Sequence, residues 1–204
     1  MPEKIKIAVL VSGNGSNLQA IIDAQANGDL GPAEIGIVIS DKPEALALER
    51  AAKAGIKSVV VEKTKELSRE EYDEKLAVIL REEEINLIVL AGFMRVLGEK
   101  FVGAFKWKII NIHPALLPAF KGTHGIADAF LYGVKVTGVT VHFVDEGVDS
   151  GPIIAQRAVK IEDTDTLGSL EERMHHREHE LYPEVIRLFA EGRIKLEGRK
   201  VKIV

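Results

Sequence analysis

The stretch KIKIAVLVSGNGSNLQAII, residues 4–22, predicts a strand, a glycine-rich loop and a helix in succession. Its first part is an apolar run rich in Ile and Val, which is typical of a strand buried on both faces of a sheet. Gly, Ser and Asn form the loop, and the apolar residues from Leu18 onward have helical spacing. This order is the first half of a βαβ unit.

The same alternation continues along the first half of the chain. Apolar runs predict further strands at residues 33–40, 57–61, 86–91 and 107–112. Helical spacing predicts helices at residues 18–26, 44–54 and 68–83, the last with Ser68 and Glu71 as a capping box. Strands that alternate with helices predict an α/β fold: a Rossmann-like, mostly parallel twisted sheet flanked by helices.

After Pro114 the pattern changes to a C-terminal portion with antiparallel character. Residues 116–125 are loop-like, while residues 136–144 and 152–161 alternate like strands. A long helix is predicted from Thr166 to Ala190, and a hairpin at residues 194–204. We expect a single domain, residues 1–204, in which residues 1–110 form a phosphate-binding half and residues 111–204 a catalytic half.

Composition excludes several classes of protein. The chain has 204 residues, 46% of them hydrophobic and 28% charged, with a net charge of −4. This is a globular composition without the basic field that nucleic acid or an anionic membrane requires. Cysteine is absent, which excludes disulfides and thiolate chemistry. Apolar runs are too short to span a bilayer and no signal peptide is evident, so we expect a cytoplasmic protein.

The loop at Gly15, Ser16 and Asn17 is a candidate phosphate site. A helix N-terminus at the carboxyl edge of a parallel sheet offers N–H groups and a positive dipole end. Leu18 stands where a dinucleotide fingerprint has its third glycine, and no Gly-Lys-Ser/Thr follows, so a single phosphate fits best. The alternative is a tight strand-to-helix turn with Ser or Asn as the helix N-cap.

Asn111 and His113 are candidate catalytic residues. They are two apart on a predicted strand that ends at Pro114, so their side chains share one face near the sheet edge. An amide can stabilise an oxyanion and an imidazole can donate a proton, as acyl transfer requires. A carboxylate from the turn at residues 145–149 would orient His113 and favour its charged form. The alternatives are a structural histidine beside a capping Asn, and ordinary turn chemistry for the acidic residues.

Two other segments contain candidate binding residues. Residues 91–97 follow a strand and supply apolar groups and one Arg. This composition suits either a binding surface for a flat ligand or a loop that packs against the core. His175 and His179 are one helical turn apart, but the sequence lacks the His-Glu-x-x-His order, so a polar helix face is favoured over a metal site. Spacing assigns no role to His124 or His142, and the alternation of residues 141–143 predicts that His142 faces solvent.

Several blocks in register resemble the folate-dependent phosphoribosylglycinamide formyltransferases. They are GNGSNLQAII within residues 13–22, LAGFMR (90–95), NIHPALLPAF (111–120), VTVHFVDEGVDSGPIIAQ (139–156) and EHELYP (178–183). The resemblance covers roughly residues 4–197. It implies a formyltransferase fold and transfer of a formyl group from 10-formyltetrahydrofolate, a cosubstrate, to the amino group of glycinamide ribonucleotide in purine biosynthesis. No metal and no nucleic acid or membrane partner is implied, and we expect a monomer or a homodimer.

The resemblance also implies roles for individual residues. His113 is the proton donor, Asn111 the oxyanion partner and Asp149 the carboxylate that keeps His113 charged. The implied ribonucleotide contacts are Gly15, Ser16, Asn17, His175, His176, Arg177 and Glu178. The implied folate contacts are Arg69, Met94, Arg95, Val96, Leu97, Asn111, Asp145, Glu146, Gly147, Val148 and Asp149.

Lys121 departs from the family pattern, which usually has Pro at this point. The Phe-Lys-Gly sequence at residues 120–122 is closer to the formyltetrahydrofolate deformylases, which share the Asn, His and Asp set but transfer the formyl group to water. A hydrolase is therefore the second hypothesis. A non-catalytic binder of a phosphorylated sugar or nucleotide, which would use only the phosphate loop, is the third.

Overall fold

The structure is a computed structural model and describes residues 4–204. Strands and helices alternate as far as the sixth strand, and the seventh strand follows it without a helix between them. The elements are β1 (Ile5–Val11), α1 (Ser16–Asn27), β2 (Ala33–Ser40), α2 (Leu46–Lys53), β3 (Ser58–Val60), α3 (Arg69–Glu82), β4 (Leu87–Leu90), α4 (Glu99–Ala104), β5 (Ile109–His113), α5 (Gly125–Tyr132), β6 (Val136–Phe143), β7 (Ile153–Lys160), α6 (Leu167–Ala190), β8 (Ile194–Glu197) and β9 (Lys200–Ile203).

The main sheet has seven strands in the order β3-β2-β1-β4-β5-β6-β7. Neighbouring strands are parallel from β3 to β5, whereas β6 and β7 add to the sheet in antiparallel orientation. Strands β8 and β9 form a separate hairpin. The predicted α/β fold with a C-terminal antiparallel portion is confirmed.

A hydrophobic core lies on each face of the sheet. Along β1, Ile7, Val9 and Val11 belong to one core, and Ala8 and Leu10 to the other. Helices α1 and α6 cover the first core, while α3 and α4 cover the second. Both faces of β1 are therefore buried from Ile7 to Val11, as the apolar run at these residues predicts.

Two short helices, α4 and α5, were not predicted. Helix α4 has six residues and contains Gly103, which weakens a helical pattern. Helix α5 begins after His124, whose side chain makes no capping hydrogen bond, so the sequence carries no start signal. The capping box of α3 at Ser68 and Glu71 is confirmed, and Thr166 caps α6 as predicted.

The order of the strands creates a crevice at the carboxyl edge of the sheet. The chain leaves β1 toward α1 on one face, whereas it leaves the adjacent strand β4 toward α4 on the other. Open parallel sheets bind ligands where connections diverge in this way. Within residues 4–204, no helix is both long and apolar enough to cross a membrane.

Tyr182 connects α6 to this edge of the sheet. The side chain is fully buried, and its hydroxyl lies 2.9 Å from the carbonyl oxygen of Leu90 and 3.1 Å from that of Ile110. The hydroxyl can donate to either carbonyl, one at the end of β4 and the other near the start of β5. The phenol therefore fixes the position of α6 relative to β4 and β5.

We expect Tyr182→Phe to lower the free energy of unfolding by about 0.5–1.5 kcal/mol, because the buried hydrogen bond of its hydroxyl is lost. Chemical denaturation measures the change. Tyr132→Phe is the matched control, since that side chain is 79% exposed and should cost nothing measurable. Equal stability of the Tyr182→Phe variant and the wild type would contradict the assigned role.

Candidate active site

The crevice is a cleft of about 610 Å³ that gathers most of the candidate residues. It is bordered by the loop after β1, the segment after β4, the end of β5, the turn between β6 and β7 and one face of α6. Residues from both halves of the chain line it, including Asn17, Met94, His113, Asp149 and Glu178. The phosphate loop, the imidazole and the apolar segment therefore open onto one space.

The loop after β1 leaves the start of α1 open to an anion. Gly15 is the N-cap residue in a left-handed conformation with φ of 75°, and no side chain caps the helix. The alternative of a Ser or Asn N-cap is therefore wrong. A Cβ at position 15 would lie 2.6 Å from the Cβ of Ala47, so only glycine fits. Arg50 holds the loop from outside, donating through Nε to the carbonyl of Asn14 (2.9 Å) and through Nη2 to its side-chain oxygen (3.1 Å).

Glu178 faces the same loop from α6. Its Oε2 accepts hydrogen bonds from Asn17 Nδ2 at 3.2 Å and from His175 Nδ1 at 2.9 Å. The carboxylate is buried, and its hydrogen bond raises the pKa of His175 against the opposing effect of burial. Burial lowers the pKa of His179, whose ring lies parallel to that of His175 with the ring centroids 6.5 Å apart. Among residues 4–204, no group of three His, Cys, Asp or Glu side chains is arranged to hold a metal ion.

His113 lies at the end of β5 and is 3% exposed. Its Nε2 lies 2.8 Å from the carbonyl oxygen of Phe120, which can only accept, so this nitrogen carries a hydrogen. Its Nδ1 lies 3.5 Å from Asp149 Oδ2. Both ring nitrogens therefore face acceptors, an arrangement that suits the imidazolium form.

Asp149 is held by three neighbours. Its Oδ2 accepts from the backbone N–H of Gly122 at 2.8 Å, and its Oδ1 lies 3.7 Å from His142 Nε2. Burial raises the pKa of Asp149, but the imidazole of His142, the N–H of Gly122 and the charge of His113 together hold that pKa below its ordinary value. Its φ of 45° is unusual for a residue with a Cβ and marks a strained site.

The prediction that His142 faces solvent is wrong. The side chain is 2% exposed, because β6 lies between β5 and β7 and both of its faces are covered. Antiparallel pairing places His142 opposite Asn111. Its Nδ1 donates to the carbonyl of Phe143 at 2.8 Å, and its Nε2 lies 3.2 Å from Asn111 Nδ2 and 3.7 Å from Asp149 Oδ1. His142 thus fixes the amide of Asn111 and adjoins Asp149.

The segment after β4 is held in an extended shape by side chains. Met94 N–H donates to Ser12 Oγ at 2.8 Å, and Gly98 N–H donates to Asp73 Oδ2 at 2.7 Å. Arg95 Nε lies 2.6 Å from the buried carboxylate of Asp41. Met94 and Val96 are 61% and 59% exposed and form an apolar wall of the kind that a flat ligand covers.

Three candidate residues lie outside the lining of the cleft. Arg69 is the first residue of α3 and lies beside Gly98. His176 and Arg177 form ion pairs with Glu180 on the outer surface of α6, at 3.1 Å and 2.7 Å. Their ligand contacts stay predictions. Asp145 does line the cleft, although its Oδ1 also accepts from Ser150 Oγ and Gly147 N–H within its own turn.

Known proteins resemble this chain in sequence over most of its length. The family model described as formyl transferase matches residues 5–186. The chain is 46% identical over 184 residues to phosphoribosylglycinamide formyltransferase from Bacillus subtilis (strain 168), covering 89% of this chain and 93% of that protein. It is 44% identical over 201 residues to the human trifunctional purine biosynthetic protein adenosine-3, of which it spans 20%.

Solved structures show the same relationship. The structure of glycinamide ribonucleotide transformylase 1 from Symbiobacterium toebii superposes with a TM-score of 0.95 at 47% identity, covering 98% of this chain and 94% of that one. Phosphoribosylglycinamide formyltransferase from Anaplasma phagocytophilum gives a TM-score of 0.91 at 41% identity, covering 99% and 95%. The identity and the shared fold extend over nearly the whole chain, and we conclude that this chain belongs to the formyl transferase family.

Proposed function

We propose that this protein transfers the formyl group of 10-formyltetrahydrofolate to the amino group of glycinamide ribonucleotide, giving formylglycinamide ribonucleotide and tetrahydrofolate in purine biosynthesis. The observation that carries the proposal is the single cleft that holds an open helix start, an imidazole–carboxylate pair and an apolar wall. The names of its relatives support the same reaction.

The ribonucleotide would occupy the side of the cleft formed by α1 and α6. Its phosphate would accept hydrogen bonds from the backbone N–H groups of Gly15, Ser16 and Asn17 at the helix start, where the helix dipole favours an anion. Glu178 is a buried acceptor that suits the hydroxyl groups of a ribose. The glycinamide amine would then point along the cleft toward His113.

The folate would occupy the opposite side. Its flat ring would lie against Met94, Val96 and Leu97, and the turn at residues 145–149 would cover it from above. Backbone groups of both segments line the cleft and can bond the edge of a heterocycle. This arrangement would bring the formyl group to Asn111 and His113.

The chemistry requires stabilisation of a tetrahedral oxyanion and protonation of the leaving nitrogen. The amine attacks the formyl carbon and forms a C–N bond, and the carbonyl electron pair moves onto oxygen. Asn111 and the charged His113 would stabilise that oxygen. As the oxygen re-forms the carbonyl, the bond from carbon to the folate nitrogen breaks and His113 would supply a proton to that nitrogen. The neutral imidazole would then take the proton that the attacking amine loses, which restores its charged form.

The experiment that tests the function measures formyl loss from 10-formyltetrahydrofolate with and without glycinamide ribonucleotide. We expect loss only when the ribonucleotide is present, with formylated ribonucleotide formed in equal amount. Loss to formate at the same rate without acceptor would establish the hydrolase instead. Ribonucleotide binding without any formyl loss would establish a non-catalytic binder.

A further inference from the structure

The charge of the cleft poses a problem for a substrate that carries a phosphate. Four carboxylates line the cleft, those of Asp145, Glu146, Asp149 and Glu178, against two permanently charged cations. One of these, Arg95, is paired with Asp41. The phosphate loop itself contributes only neutral donors, and a phosphate carries close to two negative charges at neutral pH.

Lys42 is the other cation. Its side chain is exposed, it lines the cleft, and it makes no ion pair with any residue in the range 4–204. An ammonium that faces a cleft lined by acidic groups is available to a bound anion. Neither the sequence motifs nor the site described above gives Lys42 a role.

The backbone at Lys42 is held in place relative to the phosphate loop. The hydroxyl of Ser40, which is fully buried, donates to the carbonyl of Lys42 at 2.8 Å and accepts from its N–H at 3.1 Å. Five residues further on, Ala47 N–H donates to the carbonyl of Gly13 at 3.1 Å. Residues 42–47 therefore pack against the phosphate loop as one unit, with Lys42 at the cleft end.

We propose that Lys42 binds the phosphate of the ribonucleotide and is the counter-cation of the phosphate loop. The inference rests on the proposed function for the identity of the substrate. It assigns to Lys42 a charge-assisted hydrogen bond to phosphate oxygen, which is stronger than a neutral one. It makes ribonucleotide affinity, and not folate affinity, depend on this side chain.

Lys42→Met tests the proposal. We expect KM for the ribonucleotide to rise about tenfold or more, while kcat and KM for the folate stay unchanged. The wild-type KM should rise with salt, and the variant should lose most of that dependence because the ion pair is screened. Lys42→Arg should restore most of the affinity. Lys195→Met, an equal loss of charge on β8 at a residue that does not line the cleft, is the matched control.

Titration with ribose 5-phosphate, followed by calorimetry, separates this proposal from the proposed function because it needs no formyl transfer. Binding to the wild type that weakens in Lys42→Met supports the phosphate contact, even if no formyl transfer is found. An unchanged affinity, or a wild type that does not bind ribose 5-phosphate, overturns it. A rise in KM for the folate alone would overturn it as well, because Lys42 would then serve the other substrate.

Discussion

His113→Ala is expected to lower kcat about 10³-fold while leaving KM for the ribonucleotide nearly unchanged. General acid catalysis contributes about 10²–10⁴-fold in enzymes, and His113 is the proton donor in this account. The phosphate loop and Glu178 do not contact His113, so ground-state binding of the ribonucleotide should persist. Steady-state kinetics with each substrate varied in turn measures both constants.

The matched control for this variant is His124→Ala. His124 is exposed, lies in the loop at residues 119–125 whose Phe120 contacts His113, and does not line the cleft. The same truncation at this position should therefore leave kcat unchanged. A large rise in ribonucleotide KM with unchanged kcat for His113→Ala would contradict the assigned role, because it would make His113 a binding residue.

Asp149→Asn is expected to lower kcat about 10²-fold. The amide keeps the size of the side chain but removes the charge that faces His113 and His142. It also weakens the acceptor for Gly122 N–H, which connects the turn to the loop at residues 119–125. The exposed ion-pair residue Asp163 provides the control, and Asp163→Asn should leave kcat unchanged.

The pH dependence of stability follows from the lowered pKa of Asp149. A carboxyl whose pKa is lower in the folded state than in the unfolded one stabilises the fold above its unfolded pKa, and loses that effect as pH falls through its folded pKa. The gap in unfolding free energy between wild type and Asp149→Asn should therefore be full at neutral pH and shrink below about pH 4. A gap that grew on acidification would contradict this assignment.

Much of the fold could be predicted from local pattern. The strand at Ala33–Ser40 and the caps at Ser68 and Thr166 match the predictions, because buried parallel strands and capped helices leave strong local signals. Helices α4 and α5 were missed because they are short and are fixed by packing, with no capping side chain at either start.

Pairing between distant strands could not be predicted, and His142 shows the consequence. The side chain belongs to the site because β6 pairs antiparallel with β5 in a register that places it opposite Asn111. Alternation within residues 141–143 carries no information on that partner, and it suggested a solvent-facing residue. His142 lies within one of the sequence blocks that resemble the formyltransferases, but the resemblance implies no role for it.

The loop at residues 119–125 likewise acquires meaning only from contacts across the fold. Phe120 offers its carbonyl to His113, and Gly122 offers its N–H to Asp149. Lys121, which departs from the family pattern, lies between these two contacts. A substrate that takes the proton of His113 Nε2 must replace the Phe120 carbonyl, so the conformation of this loop and the state of the imidazole are coupled.

A crystal structure of the ternary complex tests the central claim most directly. The protein would be crystallised with glycinamide ribonucleotide and a stable folate analogue in which carbon replaces the nitrogen that carries the formyl group. We predict that the ribonucleotide amine lies about 3–3.5 Å from the formyl carbon, beside His113 and Asn111, as near-attack geometry requires. Two ligands bound in separate parts of the molecule, with the amine directed away from His113, would contradict the account.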